Sequence, residues 1–376
     1  MPIWIFAGMF VGMTLLTQTL NITPATLAII AELDEFKGAW TAPSQLRSLA
    51  PQRLAKLRHS AMIESIGSSI RIEGGKLSNS VVEQLLPRLN GGQFDRRDEQ
   101  EAAGYAAVLE TVFADVNATE VAGAADAATI TENQIKQLHE DLLIHSNKDR
   151  HQRGEYKTQP NNISAFDGEG REIGVVFQTA TPADTPRLMT ELIHWMNKQT
   201  NPTDLHPLLR ITLFLAAFLE IHPFQDGNGR LSRILATLLL CRAGYSYMPY
   251  SSLEGIIEQS KQPYYLALMQ TQSTIRTDNP NWQPWVEFFL RALQQQKRQL
   301  EEQIRHEKIT TESLPALSLQ ILELARHHTR LTNAQLVELT NANRNTIKKH
   351  LAALVASRHL EQHGKGKGTW YVMRSQ

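Results

Sequence analysis

From Thr23 onward the chain alternates long helix-like segments, apolar on one face or on nearly all faces, with short polar connections. "NITPATLAIIAELDEF" predicts a helix with Thr23 as N-cap and Pro24 in the first helical position. "SVVEQLL" predicts another, opened by a capping box from Ser80 to Glu83, and "TPRLMTELIHWMNK" begins with a further Thr-Pro pair. The connections, such as "NGGQFD" and "FDGEGREIG", are rich in turn formers. One run breaks the pattern: "EIGVVFQTATP", Glu172 to Pro182, predicts a strand of a small hairpin. Two stretches, "HPLLRITLFLAAFLEI" and "LSRILATLLL", are apolar on nearly every face and belong in the middle of a bundle. "WVEFFLRALQQQKRQLEEQIRHEKI" predicts a long helix whose polar second half leads away from that core. Beyond it lie three short helices and a Gly-tipped hairpin, so the fold is mainly α, a helical body followed by a small α+β module.

Length and composition narrow this further. A chain of 376 residues holds one large domain plus a small one. Its 38 Lys and Arg balance 38 Asp and Glu, so any nucleic-acid contact must come from a local patch. The single cysteine, Cys241, lies in an apolar run; this excludes an intrachain disulfide, predicts a buried inert thiol and fits a reducing cytoplasm. Residues 1–20 are far more apolar than the segment directly after them, yet the first cation is Lys37 and no small-residue cleavage site is present, unlike a secretory signal. Three readings stay open for them: an upstream extension or misread start with Met13 as the true one, a helix packed on the body, or a membrane anchor.

Between the two most apolar segments stands "IHPFQDGNGRLSR", Ile221 to Arg233. Gly227 and Gly229 permit backbone conformations that turn successive N–H groups to one side, an anion-binding concavity at a helix start. Arg230 and Arg233 follow on neighbouring positions of one helix face, where cations oppose the helix dipole unless a polyanion is bound. Asp226 offers the hard oxygen a Mg²⁺ would take beside phosphates. Phe224 is expected to anchor the loop in the core.

This stretch resembles, position for position, the Fic family motif His-x-Phe-x-Asp/Glu-Gly-Asn-Gly-Arg-x-x-Arg. "IKQLHEDLL", "RGEYKTQPNNIS" and "PYSSLEGIIEQSKQPYYLAL" are similar to Fic proteins too, so the resemblance runs from about Thr23 to the end of the chain. It implies a Fic-type helical bundle with a small hairpin flap, and an enzyme that moves AMP from ATP to a hydroxyl side chain of a target protein. By it, His222 is the general base, Asp226 holds Mg²⁺, Gly227, Asn228 and Gly229 cradle the phosphates, and Arg230 and Arg233 neutralise them. The strand containing Gly174, Val175, Val176 and Phe177 resembles the flap that pairs with the target's backbone. Ser260 stands where relatives often carry Asn before the "YY" helix.

Upstream, Ile63, Ile66 and Ile70 mark a helix that Gly74 and Gly75 stop, leaving Glu73 at the negative end of its dipole, in need of a cation. The spacing of Ser69, Glu73 and Gly74 resembles the inhibitory motif of some Fic proteins. That resemblance implies that Glu73 pairs with Arg233 in the place of the ATP γ-phosphate; in members that reverse the reaction the same Glu orients water.

The module from Ser313 to Arg374 resembles a winged helix-turn-helix and is locally basic; Arg344, Lys348 and Lys349 lie on its third helix and Lys365 and Lys367 at the hairpin tip. The chain thus divides into an N-terminal helical region over 21–110, a catalytic core over 111–285, a connecting helix over 286–312 and the module over 313–376. Two functions are open: an autoinhibited protein adenylyltransferase whose module recruits a target, partner or DNA, and a nucleotide-sensing transcription regulator that binds DNA. The intact motif favours the first. Homodimers are frequent in the family, though no stretch here specifies one.

Overall fold

The computed structural model describes residues 17, 19–41, 51–89, 94–122, 129–146, 148–166, 172–198, 205–312, 315–327, 330–357, 359–364 and 366–373. Most of them are helical, and they fall into two compact units, residues 1–300 and 301–376. Residues 1–16, Ser313 and Lys365 lie outside the described residues, and with them the question of the apolar N-terminus.

In the first unit, α1 (Pro24–Thr41) buries Ile30, Leu33, Phe36 and Trp40, and its first turn is capped by Thr23 Oγ1, which accepts from the Thr26 N–H at 3.1 Å. Then come α2 (Pro51–Ile72), α3 (Asn79–Leu85), α4 (Arg97–Ala122) and α5 (Glu132–Leu142). The cap of α3 differs from the expected box: Ser78, not Ser80, is the N-cap, and its Oγ accepts from the Val81 N–H at 3.4 Å. Both serines satisfy the pattern, but the helix starts at Asn79, which puts Ser80 inside it, hydrogen-bonded to Ser78 at 2.9 Å.

The strands β1 (Ile163–Phe166) and β2 (Glu172–Phe177) form the expected hairpin, antiparallel, with Ile163 opposite Phe177 and Phe166 opposite Glu172. After α6 (Thr185–Asn197) the chain enters the central pair, α7 (Pro207–Ile221) and α8 (Asn228–Arg242). Every residue from Ile211 to Ile221 and from Leu231 to Cys241 is buried, as all-round apolarity requires. This pair packs against α2, α4 and α6, so the loop between its helices stands on a rigid base. Two short helices, α9 (Leu253–Gln259) and α10 (Lys261–Gln272), precede the long α11 (Gln283–Glu312). Among the described residues no helix is long and apolar enough to cross a membrane.

The second unit has α12 (Ala316–His327), β3 (Leu331–Thr332), α13 (Asn333–Thr340), α14 (Arg344–Ala356), β4 (Leu360–His363) and β5 (Trp370–Met373), with strand order β3-β5-β4. Its own core is built on Ile321, Leu336, Ile347, Leu351, Leu354 and Leu360. Arg344, Lys348 and Lys349 are exposed on α14, and Lys367 lies in the short turn Gly366–Gly368.

Candidate active site

The loop between α7 and α8 is held by its own side chains. His222 closes α7 in a left-handed conformation, φ 52° and ψ 60°, while its N–H still bonds the Phe218 carbonyl at 2.9 Å. A non-glycine residue there is strained, and such strain concentrates at functional sites. Phe224 is fully buried, as expected, and stacks on His139 with centroids 3.8 Å apart. Asn228 pins the loop: its Oδ1 accepts from the Phe224 N–H at 2.9 Å and its Nδ2 donates to the Phe224 carbonyl at 2.7 Å. Its side chain therefore shapes the cradle rather than facing it; what it offers outward is the backbone of the first turn of α8.

The two motif glycines serve different ends. Gly227 sits at φ 80° as the N-cap of α8, where only glycine is unstrained. Gly229 is already helical, and its lack of a side chain makes room: a Cβ there would collide with the Glu73 carboxylate.

A cavity of about 530 Å³ opens over this loop, lined by His222, Asp226, Gly227, Asn228, Gly229 and Arg230 together with Glu73, Arg97, Glu101, Tyr264, Tyr265 and Leu268. His222 Nδ1 lies 3.2 Å from the Leu219 carbonyl, which can only accept; Nδ1 therefore carries the proton and Nε2 keeps its lone pair. Burial lowers the His222 pKa to about 4, with Lys157 adding to the effect, so the ring is neutral near pH 7. Burial works to raise the pKa of Asp226, but Arg230, the Gly227 N–H and Arg97 outweigh it and hold the group below the usual carboxylate range.

Arg233 lies in the second turn of α8, 3% exposed. Its Nε donates to Ser69 Oγ at 3.0 Å, and its Nη2 donates to the Ser69 carbonyl at 3.2 Å and to Glu73 Oε1 at 2.9 Å. Glu73 is one residue beyond α2, in the turn rather than in the last helical turn, and from there it reaches Arg233 across 160 residues of sequence. Arg233 Nη1 and Arg230 Nε are buried with no hydrogen-bond partner, the mark of a site that expects an anion.

For a divalent cation, Asp226 Oδ2 is the carboxylate oxygen the loop offers. Among the described residues no three His, Cys, Asp or Glu side chains cluster as a ligand set. The fit is thus to an ion that takes the rest of its shell from phosphates and water, as Mg²⁺ does beside nucleotides.

Several residues the motif did not single out complete the site. His139 Nδ1 accepts from the Gly154 N–H at 3.0 Å and its Nε2 donates to the Asp226 carbonyl at 3.0 Å, fixing the turn below Asp226. Lys157, 3% exposed, donates to Asn161 Oδ1, Thr179 Oγ1 and the Ile221 carbonyl at 2.8 to 2.9 Å, tying both ends of the hairpin to the end of α7. Asn161 Nδ2 in turn donates to the carbonyls of His222 and Phe224. The backbone of Gly174, Val175, Val176 and Phe177 lies in β2, whose side away from β1 carries no paired strand among the described residues. Ser260 ends α9, its Oγ donating to the Ile256 carbonyl at 2.7 Å.

Residues 129–240 match the Fic/DOC family. The protein adenylyltransferase Fic of Drosophila mojavensis is 27% identical over 251 residues, 66% of this chain and 43% of that protein. Its counterpart from Drosophila virilis is 29% identical over 220 residues, 57% of this chain and 39% of that one. The chain thus spans less than half the length of these curated relatives. Among solved structures, a Fic family protein from Desulfovibrio desulfuricans G20 superposes with a TM-score of 0.59 at 24% identity, covering 95% of this chain and 98% of that one, which establishes the likeness of fold.

Proposed function

We propose, from the match of residues 129–240 to the Fic/DOC family, that the chain is a protein adenylyltransferase, moving AMP from ATP to a Ser, Thr or Tyr hydroxyl of a target protein. The observation that carries this reading is His222, its Nδ1 on the Leu219 carbonyl and its Nε2 left free, on the wall of a cavity that also presents the first turn of α8 and Arg230. A hydroxyl at Nε2 gives up its proton as its oxygen attacks the α-phosphorus; the bond to the bridging oxygen breaks and pyrophosphate leaves. The N–H groups at the start of α8, with Arg230 and Arg233, offset the phosphate charge. Mg²⁺ held by Asp226 and phosphate oxygens supplies further neutralisation when bound. The open side of β2 suits pairing with an extended target segment through backbone hydrogen bonds.

Glu73 restrains the reaction. A carboxylate paired with Arg233 already occupies the cation a terminal phosphate needs, and it repels that phosphate. ATP then binds in a pose that does not react.

His222→Ala keeps nucleotide binding, read by calorimetry, and loses AMP transfer from α-labelled ATP to proteins of a lysate. Labelling undiminished in that variant contradicts the assigned base.

A further inference from the structure

Among the described residues that line the cavity, one cation is accounted for by neither the motif nor the phosphate cradle. Arg97 opens α4, at the positive end of the helix dipole, where a cation is disfavoured. It is kept there by two carboxylates: its Nη2 lies 3.1 Å from Asp226 Oδ2 and its Nε 2.7 Å from Glu101 Oε1. The other oxygen of each carboxylate faces Arg230, Glu101 Oε2 at 3.2 Å and Asp226 Oδ1 at 3.4 Å. Arg97, Asp226, Arg230 and Glu101 thus close a ring of alternating charge on one wall of the cavity.

The members of that ring are not equally fixed. Arg230 is 3% exposed and Glu101 11%, whereas Arg97 is 57% exposed. Asp226 Oδ1 also accepts from the Gly227 N–H at 2.6 Å, so it is committed to the loop. Oδ2 is the oxygen left for a metal, and its partner is the exposed arginine. An exposed ion pair is weak and easily exchanged, while a buried one is costly to break.

We propose that Arg97 stands in for the divalent cation at Asp226 Oδ2 in the nucleotide-free protein, and that the metal must displace it to bind. The inference rests on the reading of Asp226 as the metal-holding residue and adds a competitor to it. The ring keeps the Asp226 carboxylate oriented and neutralised while the site is empty. Displacement leaves Arg97 on Glu101, still at the cavity wall. Apparent metal affinity is then reduced by the fraction of molecules in which Oδ2 is covered.

The test is a titration of the full chain with Mn²⁺ alone, following free Mn²⁺ by electron paramagnetic resonance and bound Mn²⁺ by water proton relaxation. Arg97→Gln is expected to bind Mn²⁺ up to about fivefold more tightly than wild type, the upper end for an exposed ion pair, and adding Asp226→Asn is expected to abolish the gain. Unaltered thermal unfolding of Arg97→Gln shows that the fold is intact. Equal affinities in wild type and Arg97→Gln overturn the proposal, as do a gain that survives Asp226→Asn and an absence of Mn²⁺ binding in every form. The titration involves no transfer of AMP, so its failure leaves the role of His222 standing, and a failure of labelling leaves this competition to be decided separately.

Discussion

His139 fills a position that the pattern of α5 reserves for an apolar side chain, since Ile135, Leu138, His139 and Leu142 form its buried stripe. Burial lowers its pKa to about 4, from about 6.5 in an open chain. The unfolded chain therefore takes up a proton that the folded chain refuses between those values, and the contribution of this group to stability is complete above pH 6.5 and lost as pH falls toward 4. The urea midpoint is expected to drop between pH 7 and pH 5. His139→Phe, which keeps a ring against Phe224 but cannot titrate, is expected to flatten that drop; an unchanged pH dependence in the variant contradicts the account. At this scale legibility followed contiguity. His222, Asp226, Arg230 and Arg233 could be found because they lie within one short stretch of sequence, and Glu73 because a helix end left it without a cation. Arg97 gave no signal, since its partner Asp226 is 129 residues away. A histidine on an apolar stripe is the sign by which His139 could have been found.

The element that presents Glu73 is the end of α2, where Gly74 turns at φ 94° and the N–H groups of Gly74 and Gly75 bond back to the carbonyls of Arg71 and Ile70. Lys261 and Tyr265 of α10 also reach the carbonyls of Arg71 and Ile72, so the turn is held from two sides. Gly74→Ala forces a side chain into the left-handed region at a cost of about 1–2 kcal/mol. It is expected to lower the chemical unfolding midpoint by a corresponding amount and, by loosening Glu73, to speed AMP transfer. Lost stability with no faster transfer means that the turn does not set the position of the carboxylate. Helices and hairpin were legible here because their periods are, and the stop at Gly74 because left-handed backbone needs glycine. Which of two serines capped α3 was not, because sequence spacing allows both and only hydrogen-bond geometry separates them.

At the scale of the molecule, a body with a buried helix pair holds the candidate site, and a module with its own small core follows. The change in composition after the long helix sets the module at Ser313, whereas the two compact units part at residue 300, inside that helix, because packing and not composition decides where one unit ends. The hub at Lys157 was not legible, because it joins the hairpin ends to α7 through contacts of 22 and 64 residues in sequence, which no local pattern reports. Two distant pieces of chain converge in the same way on the central claim: the turn after α2 brings the Glu73 carboxylate to Arg233, the arginine assigned to the nucleotide in the proposed reaction. The most direct test compares the initial rate of AMP incorporation from α-labelled ATP and Mg²⁺ into lysate proteins for wild type and Glu73→Gly. Release of Arg233 is expected to raise the rate about tenfold or more, equivalent to about 1.4 kcal/mol or more off the barrier. Equal rates in the two proteins would show that Glu73 does not restrain the site.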